Sequence, residues 1–269
     1  MFARLFKHEF LGTWRMLAIV VGAVFLVGLT LLVPALFDVP VMGPTGLTLS
    51  AICFIGGGAV VPILLAVQYW RTMYSGPGYF THAVPVRGRV IFAAKTVYAV
   101  LASVVGLVVG IGLAILLPGM VAASTNSFQL SRVWDALTSV MSPGQVWLFL
   151  ASVLISYCAE LVLYLSAISI GTRGAFNGLG LGGPVIAVII AYLVNQIVAA
   201  ISLFAIPLSL HLSGSKIGTI TMRWMGLGIF TNNSTPELLG VGWFPMSIVV
   251  AVVAAIVAIR SIERHTCLR

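Results

Sequence analysis

The chain predicts an all-α, polytopic membrane protein: six transmembrane helices, an interfacial amphipathic helix at the N-terminus, and both termini in the cytoplasm. Three observations predict it. Hydrophobic residues make up 60% of the 269 positions and charged residues only 7%, with a mean hydropathy of +1.14, a surface that no soluble domain of this size could cover. The apolar residues form six continuous runs near the roughly 20 residues that cross a hydrocarbon core, not the alternating segments of about ten residues that build a barrel. The basic residues crowd into segments on one side of those runs.

Residues 1–15 read as a helix lying in the interface. Phe2, Leu5, Phe6 and Phe10 share one face, Arg4 and His8 lie opposite, and Lys7 and Trp14 fall at the boundary. Glu9 is the exception, because it falls inside the apolar arc. An unpaired carboxylate is costly there, so Glu9 either turns to a cationic partner, Arg71 being the first candidate, or snorkels to water.

The six spans are expected at about Met16 to Leu36, Leu47 to Tyr69, Lys95 to Leu117, Val146 to Ile170, Pro184 to Phe204 and Phe244 to Ile259. The first is longer than the apolar core of a signal peptide and has no small-x-small cleavage site after it, so it is expected to stay as an anchor. Ala102, Gly106 and Gly110 in span three, and Gly56 to Gly58 in span two, read as close packing positions, with a hinge as the other reading of the latter. Cys53 and Cys158 fall within spans and Cys267 near the C-terminus, which suits structural thiols better than a bridge.

Eleven of the 14 lysines and arginines lie in the N-terminus, the second and fourth connections and the C-terminus; only Arg132, Lys216 and Arg223 lie on the other side. The positive-inside rule then places both termini in the cytoplasm and makes 205–243 an extracytoplasmic loop. The net charge of +8 thus follows from topology and contact with anionic lipid headgroups, and calls for no nucleic-acid partner.

The second connection, 70–94, combines Tyr69-Trp70-Arg71-Thr72-Met73-Tyr74, a Gly76-Pro77-Gly78 turn, Tyr79-Phe80-Thr81-His82, and then Arg87 and Arg89. Such a stretch reads either as a cytoplasmic element with an exposed face for a partner or as a set of aromatic anchors at the interface.

The run Leu5-Phe6-Lys7-His8-Glu9-Phe10 ahead of a first span, and the run from Tyr69-Trp70-Arg71 through Met73-Tyr74, Gly78-Tyr79, Thr81 and Val84-Pro85-Val86, resemble permease subunits of type-2 ATP-binding-cassette (ABC) transporters, particularly small six-span bacterial ones. The resemblance implies a connecting helix bearing Lys7, Glu9 and Phe10. It implies a coupling loop in which Tyr74, Tyr79, Phe80, Thr81, His82 and Arg87 meet a cytoplasmic ABC ATPase subunit. It also implies a second permease copy, identical or related, and ATP and Mg bound on the ATPase, with no cofactor on this chain. One departure stands out: where relatives commonly carry acidic residues before Gly-Tyr, this chain has Gly76-Pro77.

No G-x-x-x-x-G-K-[ST] phosphate loop occurs, so the energy source of such a transporter must reside on another chain. The glycine-rich turn at Gly178 to Gly183 joins two spans and follows no strand. Enzyme readings find no footing: His8, His82, His211 and His265 are scattered, and neither H-E-x-x-H, paired-cysteine metal spacing nor G-x-S-x-G is present.

Glu160 is the one acid deep within a span, where an ionised carboxylate costs several kcal/mol unless paired or neutralised. Tyr157 and Tyr164, three before and four after it, share its helix face; Asn195 and Gln196 bring amides to mid-depth in span five. These five residues either line the translocation path or form an interhelical hydrogen-bond cluster. The function expected is the membrane-spanning subunit of an ATP-driven exporter for a hydrophobic or amphipathic substrate, in a cell membrane of bacterial type. The alternatives are a proton- or ion-coupled carrier that uses Glu160 and a membrane scaffold.

Overall fold

A computed structural model of the chain describes residues 2–37, 39, 41–76, 78, 86–124, 134–135, 138–139, 142–172, 179–211, 219–222 and 238–264. Six long helices dominate it: α1 (Phe2–Leu36), α2 (Met42–Tyr74), α3 (Gly88–Ser124), α4 (Pro143–Gly171), α5 (Gly182–Ala205) and α6 (Trp243–Arg264). All six are long and apolar enough to cross a membrane, and the chain is a multi-pass membrane protein.

The helices overrun the apolar windows that predict them, because helical hydrogen bonding continues past the hydrocarbon core into polar residues. The separate interfacial helix is the clearest difference. Residues 2–15 run into the first span without a break, as one helix of 35 residues, about 52 Å long against a core of about 30 Å. Likewise α2 continues to Tyr74 and α3 begins at Gly88, so Arg71, Arg89 and Lys95 are helical and the connection is shorter than 70–94. At the start of α4, Ser142 and Gln145 form a reciprocal capping box ahead of Pro143, the Ser142 amide donating to Gln145 Oε1 at 2.8 Å.

The 205–243 loop contains a small sheet absent from the sequence expectation: β1 (Ser209–His211) lies between β2 (Ile220–Thr221) and β3 (Leu238–Gly240), antiparallel to both. Strands this short carry no periodicity to read.

The chain divides into two compact units, one holding α1 to α3 and the other α4 to α6 with the strands. In both, the usual distribution of polarity is inverted. Ser50, Ser103, Ser156, Ser166, Ser169, Ser202 and Asn195 are buried, whereas Ile19, Leu26, Ile63, Val105, Leu193 and Ile197 stand exposed. Lipid is as apolar as leucine, so helices in a membrane associate through close packing and polar contacts, leaving large apolar side chains outside.

In the first unit, α2 runs antiparallel to both neighbours, and small residues set the spacing. A Cβ on Gly110 would lie 2.6 Å from the Phe54 carbonyl oxygen, and one on Gly58 2.8 Å from the Gly106 carbonyl oxygen, so both contacts require glycine. Phe54, with Leu32 and Ala114, fills the centre. Gly57 and Gly58 thus act as packing positions, but Gly56 faces open space.

In the second unit, α4 and α6 run parallel. Ser247 donates to Ser156 at 3.3 Å near one end, and Ser261 donates to the Ser169 carbonyl at 3.4 Å near the other. Gly171 of α4 packs against Gly183 and Ala187 at the start of α5, so α5 runs antiparallel to α4. This register fixes the level of the polar residues farther along both helices.

Candidate functional site

Among the described residues, two polar constellations interrupt the apolar packing, one in each unit. In the first, Glu9 of α1 does turn to a cation, but the partner is Lys95 of α3 rather than Arg71. Lys95 Nζ lies 2.5 Å from Glu9 Oε1 and donates to Thr72 Oγ1 of α2 at 2.7 Å. Arg71 points away and is exposed, because it falls one position before Thr72 on the helix, about 100° around the axis. One turn along α1, the Thr13 hydroxyl donates to the Glu9 carbonyl oxygen at 2.9 Å and hydrogen-bonds the Tyr98 hydroxyl, while Phe6 meets the Tyr98 ring edge-on at 5.5 Å. Lys95 and Thr13 are buried. The cluster ties all three helices together at the end where α1 begins.

The remaining residues singled out near that end divide. Lys7 and Phe10 are exposed on α1, and Arg87 is exposed, its carbonyl oxygen accepting the Val90 amide at 2.9 Å as α3 begins. Tyr74 corrects the expectation of an outward-facing aromatic: it is 6% exposed and packs edge-on against Tyr69 at 6.2 Å, so it presents no free ring to a partner. The helix continuing through Tyr74 folds that side chain inward. Tyr79, Phe80, Thr81 and His82 lie outside the described residues.

The second constellation is a half-enclosed cavity of about 450 Å³ among α4, α5 and α6. Glu160, Asn195 and Gln196 line it, as the register requires: eleven residues back from Gly171 is Glu160, and twelve on from Gly183 is Asn195. The rest of the wall comes from Val198, Ala199, Ala200 and Leu203 of α5 and from Trp243, Met246 and Ser247 of α6. Tyr157 and Tyr164 are not in this lining. Both are displaced from Glu160 by about 40 to 60° in the same rotational sense, which carries them past the cavity to one side.

No hydrogen bond joins Glu160 to Asn195 or Gln196 among the described residues. Among the described residues, neither the Glu160 carboxylate nor the Asn195 amide has a hydrogen-bond or ion-pair partner, although Asn195 is only 6% exposed. Ser247 is engaged, donating to the Phe244 carbonyl oxygen at 2.8 Å as well as to Ser156. Trp243 stacks on Phe244 with ring centroids 3.9 Å apart. A single carboxylate and two amides lining a space otherwise walled mainly by apolar and aromatic groups can hold a guest that is part polar and part apolar.

Sequence reading missed Trp243, Met246 and Ser247, which open the span with the shortest apolar window, and Thr13, Thr72, Lys95 and Tyr98 of the first cluster. Glu9 was the one available signal for that cluster: an acid in an apolar arc announces a partner without saying which. No protein-family model, curated protein or solved structure matches this chain.

Proposed function

We propose that this chain is the membrane-spanning permease subunit of an ATP-driven ABC exporter. In this reading it works in a bacterial-type cell membrane with a second permease copy and a separate cytoplasmic ATPase that binds ATP and Mg. The observation that carries the reading is the cavity at Glu160 and Asn195, which gives a helical membrane unit a place for a solute. The likeness of residues 5–10 and 69–86 to type-2 ABC permeases adds the energy source. The Glu9–Lys95–Thr72 cluster fits this reading mechanically. A connection between α2 and α3 that is pushed by an ATPase moves its own three helices as one only if the helix ends it joins are held together, and the cluster holds them to α1.

Affinity capture of the tagged full-length chain from its native membrane tests the reading. The expected result is a co-purifying chain that carries a G-x-x-x-x-G-K-[ST] loop and hydrolyses ATP; a chain that purifies alone and supports solute movement without ATP contradicts it. The unpaired state of Glu160 favours a second reading, a proton- or ion-coupled carrier in which that carboxylate titrates.

A further inference from the structure

We infer that the cavity among α4, α5 and α6 is a binding site for a singly charged organic cation with an apolar body, with Glu160 as its counter-ion and Asn195 as its orienting hydrogen-bond acceptor or donor. The inference rests on the permease reading for its biological role, but the site itself stands on the geometry.

Three features select this ligand class. The first is charge. Among the described residues, Glu160 is the one carboxylate lining the cavity and no basic residue lines it, so an anionic guest would meet like charge and a neutral one would leave the carboxylate uncompensated. The second is the unpartnered amide: Asn195 is buried to more than nine-tenths, lines the same space and has no hydrogen-bond partner among the described residues. A buried amide normally finds a partner within its own fold, and here the open position is the cavity. The third is the balance of size and lining. A bare metal cation of the hard type needs six or so oxygen ligands, whereas this wall offers Glu160, two amides and the already engaged Ser247 among apolar groups. A volume of about 450 Å³ falls in the range that holds small organic ligands. Leu203 and Met246 supply apolar contact, the latter adaptable in shape, and Trp243 supplies the π system that organic cations favour.

The test uses the full chain in lipid nanodiscs and two probes of nearly equal shape and opposite charge, tetraphenylphosphonium and tetraphenylborate, with binding measured by calorimetry against empty nanodiscs. Saturable binding of the phosphonium and none of the borate is expected. Glu160→Gln should weaken phosphonium binding by about tenfold or more, equivalent to about 1.4 kcal/mol; Glu160→Asp should weaken it less, and Trp243→Leu should weaken it severalfold. The Asp and Leu variants keep the test decisive if the Gln variant does not assemble. Equal binding of both probes, no saturable phosphonium binding, or Glu160→Gln binding as tightly as the native chain would overturn the inference. Failure here with an ATPase still co-purifying removes the site and leaves the permease reading; success without an ATPase does the reverse.

Discussion

Glu9 and Lys95 stand 86 positions apart in the chain, yet each lies seven residues into its helix, and the parallel course of α1 and α3 brings them to 2.5 Å. Both side chains are largely buried, at 14% and 6% exposure. Burying two charges gains little by itself, but removing one partner strands the other in a poorly solvated place. Glu9→Gln or Lys95→Met alone should therefore cost about 3 kcal/mol, while the double variant should cost clearly less than the two single costs added together. Thermal unfolding of the four proteins in detergent measures the coupling; additive losses would mean that the pair is not coupled.

Glycine packing gives a paired expectation. Gly58→Ala places a Cβ 2.8 Å from the Gly106 carbonyl oxygen, which neither backbone can yield without separating α2 from α3, and should cost about 1 to 3 kcal/mol. Gly56→Ala meets nothing within 4 Å and should be neutral or stabilising by up to about 1 kcal/mol, since alanine is the better helix former. The same unfolding assay ranks them, and equal effects would show that this face of α2 is not the tight one.

Tyr74 and the aromatic residues after it should separate by phenotype. With its ring buried against Tyr69, Tyr74→Ala should destabilise the chain by about 3 kcal/mol. Tyr79→Ala with Phe80→Ala should leave stability within about 0.5 kcal/mol but reduce assembly with the proposed ATPase. Co-purification yield alongside melting temperature distinguishes them. Loss of stability in the Tyr79 and Phe80 variant with undiminished assembly would place the coupling contact elsewhere.

Membrane class and helix count were legible because each span satisfies a local requirement, about 20 apolar residues in a row, that no distant contact can change. Helix ends were less so: the windows stopped at Met16 and at Lys95, although the helices reach Phe2 and Gly88, because a hydropathy window reads solvent preference and not hydrogen bonding. Glu160, Asn195 and Gln196 were legible as polar residues at mid-depth, and the antiparallel register of α4 and α5 brings them to one cavity. Trp243 and Ser247 were not, because their position beside Glu160 depends on α6 running parallel to α4, a pairing that no local pattern encodes. The choice of Lys95 over Arg71 and the contrast between Gly56 and Gly58 share that cause.

Glu160→Gln keeps the size and hydrogen-bonding shape of the side chain without its charge. With no internal partner to lose among the described residues, the variant should fold with stability within about 1 kcal/mol of the native chain, while losing transport of a cationic substrate. A large drop in melting temperature would assign Glu160 to packing instead.

Reconstitution separates ATP-driven transport from proton-coupled transport. The chain and its co-purifying ATPase are reconstituted in proteoliposomes, and tetraphenylphosphonium movement is followed with ATP and Mg on the ATPase side, with and without a proton uncoupler. An ATP-driven permease should give accumulation that requires ATP, is insensitive to the uncoupler and is lost in Glu160→Gln. Accumulation that proceeds without ATP on an imposed proton gradient, and collapses when the uncoupler is added, would contradict it and make this chain a proton-coupled carrier.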